Sequence, residues 1–295
     1  MRQTTDALII RENNNIGEAD RFVTALTREF GVVRASARGA RSIKSRASSA
    51  TQLLSYSRLT LYRGREKYII DDAEPLRVFF ELRADIEKLA LAQYFCELAG
   101  VLAPREEPAE DFLRLMLNAL HFLGNGKRDP RQVKAVTELR MLALAGFMPD
   151  LLACAGCGAF EGEEMWFSPQ EGLLLCGRCR AARPQTGLTP MPGNVLAAMR
   201  HIVYSPFESC FSFTMADEGL SRLSRQTEGF LLAQLGRGFK TLDFYHSLDP
   251  RRLYAYPGEE AGGNPSASGG GTAPGAGEGA GAERGADEEE RPAEG

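Results

Sequence analysis

Four cysteines between positions 154 and 179 constrain the fold of this chain more than any other feature of its sequence. They form two Cys-x-x-Cys pairs, Cys154 with Cys157 and Cys176 with Cys179, and eighteen residues separate the pairs. A tight turn can aim both sulfurs of such a pair at one point, and two facing pairs give the tetrahedral sulfur set of a structural zinc site. The spacing therefore predicts one structural Zn²⁺ that folds an insertion and performs no chemistry.

Three other uses of these cysteines are open to consideration. Two disulfides are disfavoured, because the first residues are too polar and too few for a secretory signal peptide and cytosolic thiols stay reduced. A redox site needs a single Cys-x-x-Cys at the start of a helix beside a strand-helix-strand pattern, which two paired turns do not resemble. An iron–sulfur cluster uses the same four ligands, and the spacing does not distinguish it from zinc.

The charge of the chain is distributed unevenly along its 295 residues. The formal net charge is −4, but residues 1–75 carry thirteen Lys or Arg against nine Asp or Glu, and residues 257–295 carry two against nine. No apolar run is long enough to cross a bilayer, so we expect no membrane association and a cytoplasmic, nucleoid-associated protein. Residues 249–295 are rich in Gly, Ala and Glu, which predicts a disordered acidic tail.

Residues 1–78 have the alternation and the turn residues of short β-strands. Five short runs suggest a small closed barrel, for which the OB-fold is the common five-stranded solution. The runs are Ala7–Ile10, Arg21–Leu26, Val32–Ala35, Leu59–Tyr62 and Tyr68–Ile70.

The stretch from Arg34 to Lys67 within this barrel is strongly basic, and Glu66 is its only acid. A solvated charged face is the ordinary explanation of a charge run, but such faces usually intersperse acids, and these are missing here. Clustered cations on one small fold are instead typical of phosphate recognition, which predicts a DNA-binding surface. Its candidate residues are Arg34, Arg38, Arg41, Lys44, Arg46, Arg63, Arg65 and Lys67. Tyr56, Tyr62 and Tyr68 lie beside them and either stack bases or pack in the barrel.

From residue 79 to residue 248 the apolar period becomes that of α-helices, with the cysteine module inserted at 150–183. We expect helices near residues 91–102, 112–123, 130–146, 194–204 and 217–235. The fragment from Gly236 to Thr241 resembles part of a phosphate-binding loop but lacks its spacer and its preceding strand. His121, His201 and His246 have no acid or nucleophile nearby in sequence. We therefore predict an α+β multidomain protein that is not an enzyme.

The ordered series of short segments resembles the RecO family of bacterial recombination mediators. No single segment is specific, whereas their order is. The segments are Gly17–Asp20, Thr27–Gly31, Arg38–Arg41 with Lys44-Ser45, Ala73-Glu74, Glu138–Arg140, Ala145–Pro149, Cys154–Gly158, Phe167-Ser168, Gly172-Leu173 and Cys176–Cys179.

This resemblance implies a function in DNA repair and homologous recombination. Members of the family bind single- and double-stranded DNA, anneal complementary strands, engage the single-strand DNA-binding protein and, with RecR, help to load RecA. The resemblance also places DNA contacts on Arg38, Arg41 and Lys44. A zinc-containing nucleic-acid-binding regulator and an assembly adaptor without annealing activity are the alternatives.

Overall fold

The fold begins with a closed barrel of five strands and continues as a bundle of helices. In a computed structural model of the chain, the described residues are 2–13, 20–40, 47–64, 68–182 and 186–248. These residues belong to one compact unit. The predicted acidic tail lies outside them, and the predicted domain boundaries at 78 and 248 stay predictions.

The barrel confirms the five-stranded prediction. Its strands are β1 (Arg2–Asn13), β2 (Arg21–Thr27), β3 (Gly31–Ala37), β4 (Ser55–Arg63) and β5 (Tyr68–Val78), and a one-turn helix α1 (Ala47–Ala50) lies between β3 and β4. They close in the order β1-β2-β3-β5-β4, with β3 parallel to β5 and every other pairing antiparallel. This is the arrangement of an OB-fold.

Both faces of strand β1 are covered, which explains its continuous apolar run. Ala7 and Ile9 point into the barrel, whose interior cluster consists largely of Ala, Val, Leu and Ile. Leu8 and Ile10 point outward and join the core of the helical region. Because successive side chains of a strand alternate between faces, one short run serves two cores.

The five predicted helices follow the barrel in the predicted order, and short helices that were not predicted lie before, between and after them. A short 3₁₀ helix (Phe80–Ala84) precedes α2 (Ile86–Leu102), and then come α3 (Glu110–Asn125), α4 (Pro130–Leu144) and α5 (Gly177–Ala182). The last helices are α6 (Gly193–Tyr204), α7 (Asp217–Leu235) and α8 (Lys240–Ser247). Helix α8 was not expected, because eight residues that bury mainly Leu242 and Tyr245 are too few to show a helical period. No helix within the described residues is long and apolar enough to span a membrane.

Helix α4 is the central helix, as its broad apolar surface predicts. The Asp129 side chain accepts a hydrogen bond from the Arg131 backbone N–H, and Pro130 occupies the first turn, where a missing N–H costs nothing. Eight consecutive residues, Gln132–Leu139, are buried, so the helix is enclosed by its neighbours on every side.

The barrel is joined to the helices at the turn between β2 and β3. The backbone N–H of Val32 donates to Pro104 O at 2.8 Å, and the N–H of Glu106 donates to Phe30 O at 3.0 Å. Gly31 lies in the left-handed region at φ +60°, and a Cβ there would be 2.1 Å from Pro104 O. The residue is glycine because two backbone segments approach closer than any side chain permits.

The cysteine module is a small sheet inserted between α4 and α6. Its strands are β6 (Asp150–Cys154), β7 (Met165–Ser168), β8 (Leu173–Cys176) and β9 (Thr189–Pro190), in the order β6-β8-β7-β9. Sequence reasoning found the cysteines but not these strands, because runs of two to five residues carry too little periodicity to be recognised.

Candidate metal centre and cationic cleft

The four predicted cysteines lie together at one end of the module. Cys154 ends β6, Cys157 follows in a turn, Cys176 ends β8 and Cys179 lies in α5. Their four sulfurs all lie within 4.8 Å of one another. The Cys157 and Cys176 sulfurs are 3.7 Å apart, and four sulfurs at a Zn–S distance of about 2.3 Å in a tetrahedron are about 3.8 Å apart.

This geometry fits a metal and excludes disulfides. All six cysteines of the chain are free, and the separation of 3.7 Å between the Cys157 and Cys176 sulfurs is far longer than a disulfide of about 2.05 Å. Four sulfur ligands would fill all four positions around a tetrahedral metal and would leave none open to a substrate. Cys96 lies outside the cluster and is buried in the helical core, and burial raises the pKa of its thiol to about 12.

Backbone N–H groups prepare the cluster for a cation. Burial alone would raise the pKa of Cys154, but hydrogen bonds from the backbone N–H groups of Cys176, Gly156 and Cys157 lower this pKa to about 6. Hydrogen bonds with the neighbouring Cys157, Cys176 and Cys154 sulfurs raise the pKa of Cys179 to about 12. Four sulfur ligands suit Zn²⁺ and an iron–sulfur cluster equally.

Residues around the cluster hold its parts in position. A Cβ on Gly156 would be 2.8 Å from the Cys179 sulfur, so only glycine allows the first turn to approach α5 this closely. Helix α5 is anchored by Arg180, whose guanidinium lies 3.4 Å from the centroid of the Trp166 ring on β7. The two turns are therefore fixed by packing as well as by their sulfurs.

A second candidate site is a cleft of about 1440 Å³ between the barrel and the helices. Its lining includes eight cationic and three acidic side chains, a net charge of +5. The cations come from β1, β2, β3 and β4, from the 3₁₀ helix, from the loop after α2 and from the α7–α8 region. They are Arg11, Arg21, Arg34, Arg63, Arg83, Arg105, Arg237 and Lys240. We call this site the cationic cleft.

Each acid of the cationic cleft has a cationic neighbour in the cleft. Glu106 pairs with Arg63 at 2.9 Å, Glu97 with Arg237 at 3.8 Å and Glu12 with Arg21 at 3.9 Å. The five remaining cations form no ion pair with any carboxylate of the described residues, and all five are exposed. These five are Arg11, Arg34, Arg83, Arg105 and Lys240.

The predicted DNA-binding residues are divided between this cleft and other positions. Arg34 and Arg63 line the cleft, and Arg38 is exposed at the end of β3 without lining it. Arg41, Lys44, Arg46, Arg65 and Lys67 lie outside the described residues. Their DNA contacts stay predictions.

The basic segment contains only one acid in its sequence, but two acids from elsewhere in the chain contact it in the structure. Asp6 on β1 pairs with Arg58 at 2.9 Å, and Glu106, which follows α2, pairs with Arg63. Both acids are more than forty residues away along the chain, so a local count of charges cannot find them.

The tyrosines beside the basic segment differ in their surroundings. Tyr68 is buried and its ring lies 6.3 Å from that of Phe30, so it packs in the barrel. Tyr56 is half-buried against the helical core and donates to Asp6 at 3.5 Å. Of the three, only Tyr62 is exposed as a base-stacking ring would be.

Sequence reasoning missed the half of the cleft that the helical region provides. Arg83, Arg105, Arg237 and Lys240 are scattered over more than 150 residues, so no local pattern identifies them. The fragment from Gly236 to Thr241 is not a nucleotide loop: Gly236 ends α7, and Lys240 begins α8. Arg237 and Lys240 of this fragment nevertheless line the cleft.

Comparison with known proteins identifies the family. The sequence profile described as "Recombination protein O N terminal" matches residues 1–79, and "Recombination protein O C terminal" matches residues 83–243. This chain belongs to the recombination protein O family. The family acts in DNA repair and recombination, so the predicted resemblance is confirmed.

Several family members from distant bacteria are similar over most of the chain. The DNA repair protein RecO of Acetivibrio thermocellus is 31% identical over 83% of this chain and 96% of its own length. That of Symbiobacterium thermophilum is 32% identical over 84% of this chain and 98% of its own. That of Desulforudis audaxviator is 41% identical over 61% of this chain and 71% of its own.

Proposed function

We propose that this member of the recombination protein O family binds single- and double-stranded DNA, anneals complementary strands and, with RecR, helps to load RecA onto DNA coated by the single-strand DNA-binding protein. The observation that carries the DNA-binding part is the cationic cleft, with eight cations and three acids. Its volume exceeds the roughly 300–1,000 Å³ of pockets that hold small molecules, which favours a polymer. RecR, RecA and the single-strand DNA-binding protein are proposed from family membership alone.

Annealing of this kind needs no catalytic residue. Cations that neutralise phosphates on two strands lower the repulsion between the strands, and the release of condensed counterions supplies free energy. Contacts to phosphate carry no sequence information, so two strands can slide into register. We accordingly propose a protein that is not an enzyme.

We further propose that Cys154, Cys157, Cys176 and Cys179 hold one structural Zn²⁺. The metal would stabilise the small sheet of the module and, with four sulfur ligands, would leave no coordination position for a substrate.

Removing cations from the cleft tests the DNA-binding proposal. Arg34→Ala with Arg105→Ala removes one exposed cation from the barrel side of the cleft and one from the helical side. Neither side chain forms an ion pair with a carboxylate of the described residues. The slope of log affinity for single-stranded DNA against log salt should become shallower by about 0.7 for each phosphate that the variant no longer neutralises. The measurement is fluorescence anisotropy across a salt series.

A matched variant controls for charge alone. Arg222→Ala with Arg225→Ala removes two exposed cations from α7 that do not line the cleft, and it should leave the slope almost unchanged. Equal slopes for all three proteins would contradict the cleft as the binding site. Absence of DNA binding by the parent chain at low salt would contradict the proposed function itself.

Annealing is tested separately at the loop after β3. Arg38→Ala with Arg41→Ala should lower both the salt slope and the rate at which complementary oligonucleotides anneal, because both cations are proposed to contact phosphate. An unchanged rate would remove this loop from the proposal. Preference for one sequence among unrelated oligonucleotides would instead favour a regulator, and partner capture that survives nuclease would favour an adaptor.

A further inference from the structure

The ring of Phe80 is exposed beside a cation of the cleft. Phe80 begins the 3₁₀ helix between the barrel and α2, and 61% of it is exposed, whereas the preceding Phe79 is buried. Burying a phenylalanine side chain is worth about 1.5–3 kcal/mol. Folding therefore gives no reason for an exposed aromatic ring at this position.

Arg83 connects this ring to the cationic cleft. Its guanidinium lies 5.5 Å from the centroid of the Phe80 ring, and the residue lines the cleft. The same guanidinium donates to Gln52 Oε1 at 3.2 Å and to the backbone carbonyl of Leu53 at 3.2 Å. Arg83 is thus held by the barrel while it contacts a ring on the helical side.

An exposed aromatic ring at the edge of a cationic groove is the combination that binds single-stranded nucleic acid. Phosphates follow the cations and unpaired bases stack on aromatic faces, and this works for any sequence because every base has a π-face. A duplex offers no such face, since its bases are already stacked on one another. The ring would therefore distinguish single strands from duplexes, which phosphate contacts do not.

We propose that Phe80 stacks against an unpaired base of a strand whose phosphates lie in the cationic cleft. The inference rests on the proposed function, since it needs a strand in the cleft. It adds a contact that selects single-stranded DNA and that holds one base at the edge of the barrel. It also transfers the stacking role predicted for Tyr56 and Tyr68 to a residue of the helical side.

Phe80→Ala is the direct test, and Phe80→Trp is its conservative partner. The alanine variant should bind single-stranded oligonucleotides about tenfold more weakly, as expected for one stacked base, and the tryptophan variant should bind like the parent. The salt slope of Phe80→Ala should stay unchanged, because the ring neutralises no phosphate. Its affinity for a duplex of the same length should also stay unchanged.

Phe160→Ala is a matched control. Phe160 lies in the cysteine module, is 56% exposed and is also covered by an arginine, with the Arg200 guanidinium 4.0 Å from its ring centroid. Neither Phe160 nor Arg200 lines the cleft, whereas Arg83, the partner of Phe80, does. Removal of this ring should leave single-strand affinity unchanged, which separates stacking from a general loss of surface aromatics.

A spectroscopic measurement on the parent chain and on Phe80→Ala locates the stacked base directly. Single-stranded oligonucleotides that carry 2-aminopurine at successive positions should show quenching on binding where the base stacks, and Phe80→Ala should abolish the strongest quenching. The proposal is overturned if Phe80→Ala binds single strands like the parent, or if it weakens duplexes and abasic strands equally. If either of these outcomes is seen while Arg34→Ala with Arg105→Ala still lowers the salt slope, the stacking contact is ruled out and the proposed function stands.

Discussion

At the scale of single residues, a buried charge cluster connects four helices. Lys134 on α4 is 1% exposed, and its ammonium group lies 2.8 Å from Glu138 and 2.7 Å from Glu228. Tyr94 and Thr227 donate to the two Glu138 oxygens, and Glu228 also pairs with His246 on α8 at 2.9 Å. Every charge in the cluster has a partner, and this is the condition under which buried charges are tolerated.

Lys134→Met should lower the free energy of unfolding by about 3–5 kcal/mol, because it leaves the buried Glu138 carboxylate and the half-buried Glu228 carboxylate without their cation. Urea denaturation measures the loss. Arg222→Met removes an exposed partner of Glu218 on α7 and should cost about 0–1 kcal/mol. Similar losses for the two variants would contradict this account of the cluster.

Acid should weaken the same cluster. Burial alone would raise the pKa of Glu228 above its ordinary value of 4.5, but Lys134 and His246 together lower this pKa to about 2. The ionised Glu228 therefore stabilises the fold fully above pH 4.5, and this contribution is lost as the pH falls towards 2. The difference in unfolding free energy between the parent and Glu228→Gln should be largest near neutral pH and should shrink across that window. A difference that is independent of pH would contradict the prediction.

At the scale of elements, the structure depends on two close approaches between segments. The β2–β3 turn meets the loop between α2 and α3 at Gly31, and the first cysteine turn meets α5 at Gly156. In each case backbone or sulfur atoms lie where a Cβ would be. These contacts fix the angle between barrel and helices and the convergence of the four sulfurs.

Gly31→Ala should be strongly destabilising, because its Cβ would meet Pro104 O at 2.1 Å and Glu107 O at 2.8 Å at a φ of +60°. Gly229→Ala is the opposite case. That glycine lies within α7 with nothing within 4 Å of a Cβ, so alanine should raise stability by about 0.5–1 kcal/mol. Thermal melts of both variants test the pair, and a neutral Gly31→Ala would contradict the close approach.

Metal removal should be visible through the only tryptophan of the chain. Trp166 lies on β7 under Arg180, so chelation that loosens the module should shift its fluorescence emission to the red and lower the melting temperature. Purified protein should contain one zinc per chain, and Cys157→Ser should lose it. Cys210→Ala, a buried cysteine outside the cluster, should retain it. Bound iron with visible absorbance would favour an iron–sulfur cluster over zinc. Metal-free protein that melts at the same temperature as the untreated protein would contradict the metal site.

At the scale of the whole molecule, the cationic cleft and the last residues of the chain carry charge of opposite sign. The cationic cleft has a net charge of +5, and residues 257–295 contribute nine acids and two cations. We expect this acidic segment to compete with DNA for cations at an effective concentration set by its linker. Such competition would be electrostatic and therefore screened by salt.

Deletion of residues 257–295 should strengthen DNA binding at low salt, and the gain should vanish as salt rises. Anisotropy titrations of the parent and the truncated chain across a salt series measure this. A variant with Asp287, Glu288, Glu289 and Glu290 replaced by Ser and Gln, at unchanged length, separates charge from chain length. Equal affinities at every salt concentration would contradict the competition.

The sequence by itself determined the local features of this protein. Strand alternation predicted the five-stranded barrel, the apolar period predicted the long helices, and the paired Cys-x-x-Cys turns predicted the sulfur cluster. Each of these signals lies within a few consecutive residues or repeats at a fixed period, so it can be read without knowing the fold.

The tertiary structure alone decided which distant residues meet. It brought Arg83, Arg105, Arg237 and Lys240 to the barrel arginines, paired Arg63 with Glu106 and enclosed Lys134 among carboxylates. It also left Phe80 exposed while it buried Phe79. The physical reason is that charge and burial act through space over a few ångströms, whereas the sequence records only separation along the chain.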